Sequence, residues 1–130
     1  MKHTHSSGIV FCLIAVAAFI FTHSLWAQEP TKVDSKHYKV VFENDSVRVL
    51  RITYGPHEKS VMHDHPNGVV VFLTDFSSRF TLPDGKTVDN TGKAGQAIWA
   101  PAGKHLPENL GDKALEVILV ELKPHKAKTK

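Results

Sequence analysis

The sequence predicts an all-β domain, a sandwich or barrel closed as a jelly roll. Three observations carry that prediction. From His37 onward the chain runs in short apolar stretches cut by turn-forming residues, at a spacing of roughly eight to twelve residues. No window repeats apolar residues at i, i+3, i+4 and i+7, so no long helix is expected. His63-Asp64-His65 places two imidazoles one pleat repeat apart, on the same face of an extended strand.

The elements follow in order. Ile9 to Phe21 is an unbroken apolar run behind Lys2, followed by Thr22-His23-Ser24 and Leu25-Trp26-Ala27. That layout reads as a secretory signal peptide over residues 1–27, cleaved after Ala27, although Leu25 is larger than the small residue preferred two positions earlier. The run is short of the ~20 residues a membrane span needs, so no stable membrane association is expected after cleavage. The expected location is the periplasm or the exterior. Cys12, the only cysteine, leaves with the signal, which removes disulfides and thiolate ligands from the exported chain.

Residues 28–36 (QEPTKVDSK) are polar and read as a linker, and residues 37–122 as the domain. Within it the expected strands are Tyr38–Phe42, Val47–Tyr54, Val61–His65, Val69–Thr74, Arg79–Leu82, Thr87–Val88, Ala97–Ala100 and Leu115–Leu122. Between them lie Asn, Asp, Pro and Gly clusters with turn chemistry, such as the hairpin tip Pro83-Asp84-Gly85. Residues 123–130 form a basic tail. Four lysines in that tail account for the formal net charge of +3; without them and Lys2 the chain is slightly acidic. No basic or aromatic stripe remains to bind nucleic acid, and that partner class is excluded.

Pro101-Ala102-Gly103-Lys104-His105 supplies a third histidine about forty residues after His63 and His65. Here the sequence resembles the cupin superfamily, in its small bacterial single-domain form. Gly55-Pro56-His57-Glu58-Lys59-Ser60-Val61-Met62-His63-Asp64-His65 is similar to the family's first motif. Gly95 to Pro101, followed by Ala102-Gly103-Lys104-His105-Leu106-Pro107-Glu108-Asn109, is similar to the second, with one residue fewer between Gly103 and His105. The resemblance spans Tyr38 to Leu122. It implies a double-stranded β-helix barrel, a metal held by His63, His65 and His105, and a homodimer paired through the strand Tyr38–Phe42.

One departure matters. The motif's usual carboxylate ligand falls at Val69 or Val70, and neither can bind metal. Three imidazoles suit a divalent transition metal (Fe, Zn, Ni or Cu) better than Mg²⁺, and they leave positions open for a small-molecule ligand. The plainer reading is a hydrogen-bonding barrel lining without metal; loss of the glutamate alone, with all three histidines in place, argues against it. Alternation turns Asp64 away from the site, while Glu58 and Glu108 would need to reach inward to serve as a base. His57 is expected in a turn outside the barrel, Asn109 as a loop-holding residue, and Gln96 within reach of the cavity. Phe72, Phe80 and Trp99 are the candidate substrate-binding wall. Three functions are weighed: a metal-dependent enzyme of oxygenase or isomerase type on a small organic molecule, a non-catalytic periplasmic module that binds a small molecule or metal, and, less favoured because a lysine tail is usually just solvated, a structural or partner-binding protein whose tail docks to an acidic surface.

Overall fold

The computed structural model describes residues 28–124; the signal-peptide reading and residues 125–130 of the basic tail lie outside the described residues. In chain order the elements are α1 (Pro30–Val33), β1 (Tyr38–Glu43), β2 (Val47–Tyr54), β3 (His63–His65), β4 (Gly68–Phe72), β5 (Phe76–Thr81), β6 (Thr87–Gly92), β7 (Ala97–Ala100), β8 (Gly103–Asn109) and β9 (Leu115–Leu122). Two antiparallel sheets face one another. One has the order β1-β2-β9-β4-β7, the other β3-β8-β5-β6. Neighbours such as β2 and β9 are far apart in sequence, which is the wrapping expected of a jelly roll.

The core forms where two strands with period-2 patterns meet. Leu50, Ile52 and Tyr54 of β2 lie opposite Leu119, Val117 and Leu115 of β9, and all six are buried. Phe72 joins them opposite Val117 and stacks on Phe76 at a centroid distance of 3.8 Å. β4 and β9 approach closely at Gly68, where an added Cβ would sit 2.4 Å from the Val120 carbonyl oxygen. Only glycine fits there.

Three sequence expectations need revision. Residues 28–36 do not hang free as a linker: Pro30 is buried, Glu29 caps α1 at Thr31 N and pairs with Arg48 at 2.7 Å, and Asp34 holds His37 and Ser60. Residues 103–109, expected as loop after Pro101, form β8, which pairs with β3 and β5. Its one glycine, one proline and polar residues hide the strand, because its pairing is set by neighbours rather than by its own apolar pattern. The hairpin strands β5 and β6 also run longer than their apolar residues suggest, in register from Phe76↔Gly92 to Thr81↔Thr87.

Candidate metal centre

Strand alternation and register together build the site. β3 points His63 and His65 inward, and β8 brings His105 directly opposite His63. His63 is 0 % exposed, His65 is buried and His105 half-buried. One ring nitrogen from each lies within 4.8 Å of the others. Asp64, between the two, faces outward and reaches Lys104 at 3.9 Å.

The hydrogen bonds fix which nitrogens face the centre. His63 Nδ1 donates to the Val61 carbonyl at 2.7 Å, and His65 Nδ1 donates to Glu121 Oε1 at 2.6 Å. Both Nε2 atoms are thereby directed at each other, 3.1 Å apart. Two lone pairs at that separation repel unless a cation lies between them. A proton bridges two nitrogens only, whereas a metal ion engages the third from His105 as well. Two ligands about 2.1 Å from one metal in neighbouring positions are separated by about 3.0–3.4 Å, so the spacing fits a transition metal.

Burial, then the neighbouring His65, lowers His63 to about 4. Burial, then His65 and His63, lowers His105 to about 3. Both are therefore neutral imidazoles near pH 7, the form that binds metal. Rings pack around them: Phe80 stacks on His105 at 4.5 Å and 16°, and Tyr38 and His63 meet edge to face at 4.8 Å and 71°.

No family profile and no curated protein matches the chain. Solved structures do. A cupin domain from Bordetella pertussis superposes with a TM-score of 0.63 at 25% identity, covering 67% of this chain and 92% of that one. An RmlC-like cupin family protein with a double-stranded β-helix fold, from Methanocaldococcus jannaschii, gives a TM-score of 0.53 at 17% identity, over 65% of this chain and 77% of its own. A double-stranded β-helix protein from Klebsiella pneumoniae gives 0.54 at 22% identity, over 69% and 77%. The fold is that of a cupin.

In this chain the carboxylate absent from Val69 and Val70 arrives from another strand. Glu121 of β9 lies opposite Gly68 of β4 and is 1 % exposed. Its Oε1 accepts from His65, its Oε2 accepts from Arg48 Nε at 2.6 Å, and Arg48 in turn reaches Glu29 at 2.7 Å. Burial pushes the Glu121 carboxyl up, but the His65 and Arg48 hydrogen bonds outweigh it and hold the group below the ordinary carboxylate range. Glu121 is therefore a supporting partner of a candidate ligand histidine, in the arrangement that fixes ring orientation at metal sites. Sequence reading missed it. A signal was present: β9 alternates Leu115, Val117, Leu119, Glu121 on one face, and a carboxylate in an inward apolar row needs a buried partner.

The cavity beside the histidines has a volume of about 450 Å³. Phe72 and Phe80 line it. Trp99 touches its rim but is 56 % exposed; by alternation its ring shares the outer side of the sheet with Val69, while Ile98 and Ala100 face in. The other sequence candidates are engaged with other partners, although Glu108 and Asn109 also border the cavity. Glu58 accepts from Gly55 N at 2.7 Å and bridges Lys36 and His37, and Glu108 pairs with Lys59 at 3.5 Å. His57 sits exposed at φ 58° against Asp112. Gln96 accepts from Lys93 N at 2.7 Å in the turn before β7, and Asn109 ties together the Gly55 and Lys113 carbonyls.

Proposed function

We propose that this cupin binds one divalent transition metal (Fe, Zn, Ni or Cu) through His63, His65 and His105 and presents it to a small organic molecule held in the adjoining cavity. The observation that carries the reading is the pair of Nε2 atoms facing each other at 3.1 Å, with both Nδ1 positions already committed. Such a metal supplies Lewis acidity and open coordination positions, chemistry suited to oxygenase- or isomerase-type conversion of an oxygen-bearing substrate. The chain's own part is to hold three neutral donors, to stack Phe80 on His105 and to surround the ligand with apolar wall.

A second reading, capture without turnover, is favoured by one observation. The candidate bases Glu58, Asp64 and Glu108 are each engaged away from the histidines, and Glu121 is committed to His65 and Arg48. Export by a cleaved signal and dimerisation through β1 complete the proposal. The dimer is supported by Val40, Val41 and Phe42, all exposed on a strand at the sheet edge.

Elemental mass spectrometry on purified, untagged protein tests the metal. About one equivalent is expected, and none in the His63→Ala/His65→Ala/His105→Ala variant. A protein that stays empty after anaerobic exposure to Fe, Ni, Cu and Zn ends the metal reading. Incubating the loaded protein with a bound organic ligand separates the two functions: an enzyme releases a changed product, a binder releases the ligand intact.

A further inference from the structure

The cavity wall is apolar along most of its length, from Ile52, Val70 and Phe80 to Phe72, Val117 and Leu119. A polar spot interrupts it far from the histidines. Ser78 of β5 is 5 % exposed, and alternation places it on the cavity side with Phe76 and Phe80. Its hydroxyl makes no side-chain hydrogen bond among the described residues, although it borders the cavity. Directly across the hairpin is Asn90, also on the cavity wall, whose amide nitrogen reaches the Val88 carbonyl at 3.3 Å and whose oxygen has no partner among the described residues. A buried hydroxyl and an amide oxygen with spare hydrogen-bonding capacity, side by side in an apolar wall, are the type of convergent polar group that fixes a ligand's orientation.

The spacing between the two polar ends follows from register. Ser78 lies opposite Asn109, which is four positions along β8 from His105, about 13 Å of strand. Allowing about 2 Å for a metal–oxygen bond and about 3 Å for a hydrogen bond leaves roughly 8 Å for the ligand.

We infer that the site takes an elongated, largely apolar organic acid or phenol, with one anionic oxygen group directed at the histidines and one hydroxyl or carbonyl read by Ser78 and Asn90 at the opposite end. This rests on the metal reading above. The three uncharged histidines leave the metal's positive charge to be matched by the ligand, which selects the anionic end. The apolar stretch between selects against sugars and other polyols, whose mid-chain hydroxyls would be buried without partners.

Calorimetric titration of zinc-loaded protein tests the assignment, with metal content measured on the same samples. The probes are 4-hydroxycinnamate, cinnamate, which lacks the distal hydroxyl, and glucuronate, a carboxylate on a polyol body. The expected order is 4-hydroxycinnamate at least tenfold tighter than cinnamate, with no binding of glucuronate. In Ser78→Ala the preference for the hydroxylated probe collapses to within about twofold while cinnamate affinity is unchanged. Equal affinity of wild type for the two cinnamates, binding of glucuronate, or no binding of any probe by fully metallated protein overturns the ligand class and leaves the metal site standing. Protein that takes up no zinc overturns the metal reading and this inference with it.

Discussion

Glu121 and His65 lie 56 residues apart in sequence and meet at 2.6 Å between Oε1 and Nδ1, both of them buried. The contact leaves His65 one free nitrogen, and it is the one that faces His63. Arg48 on the other carboxylate oxygen keeps Glu121 ionised and oriented. The arrangement separates two roles that a motif glutamate would combine. The carboxylate supports a histidine of the cluster and does not itself point into the space between the three rings.

Glu121→Gln tests that division of labour. The amide keeps the shape but is a weaker acceptor and disturbs the Arg48 pair. Metal affinity, read by competition with a chromophoric chelator, is expected to fall by about 10–100-fold. Stability should also drop, by about 1–3 kcal/mol, because Arg48 loses one of its two carboxylate partners and keeps Glu29. Unchanged metal affinity in a folded variant would remove Glu121 from the site's support.

The sequence carried the parts of this site that local pattern can encode. His63 and His65 were legible because strand alternation is a local rule, and β2, β7 and β9 because their apolar residues alternate or run without interruption. What escaped was set by long-range pairing. β8 is a strand because β3 and β5 flank it, not because Gly103-Lys104-His105-Leu106-Pro107 favours one. Glu29 looked like part of a polar linker, and only the fold brings it to Arg48. Trp99 borders the cavity as its closeness in sequence to His105 suggests, while its pairing opposite Val69 leaves it half exposed at the edge of the wall.

Gly68→Ala probes the closest approach in the barrel. The new Cβ would meet backbone, the Val120 carbonyl, at 2.4 Å, so β4 and β9 must separate. Because Gly68 lies opposite Glu121, the displacement falls on the residue that supports His65. The expected cost is about 2–3 kcal/mol, with a melting temperature lower by roughly 10 °C or more for a domain of this size. Metal affinity should fall in the same variant. A melt indistinguishable from wild type would mean the strands yield there without cost.

Val41→Lys examines the β1 edge. Val41 is exposed and lies in the register shift between Val40 and Phe42, so the folded monomer should accept the lysine within about 0.5 kcal/mol. A second copy paired along that edge should not, because two charges would face each other across the pairing. Sedimentation is expected to show a dimer for wild type and a monomer for the variant, with unchanged thermal stability of the fold. A monomeric wild type would end the proposal that β1 pairs.

Acid should destabilise the metal-free protein earlier than carboxylate chemistry alone would. His63 and His105 fall from the ordinary value of 6.5 to about 4 and about 3 in the folded chain. Between those values and pH 6.5 the unfolded chain binds protons that the folded one does not. Stability therefore rises with pH across that window and is lost as pH falls through it. Over the full window His63 contributes on the order of 3 kcal/mol and His105 on the order of 5 kcal/mol, since one unit corresponds to about 1.4 kcal/mol. Glu121, held below its ordinary range, adds loss in the same direction only at lower pH. Between pH 6.5 and 5 the slope thus reports mainly on the histidines. Chemical denaturation of apo wild type should show stability decreasing with acid in that interval, and His105→Phe, which keeps a ring against Phe80 without a titrating nitrogen, should flatten the slope by about one proton. A wild-type slope already flat between pH 6.5 and 5 would mean these histidines are not held neutral by the fold.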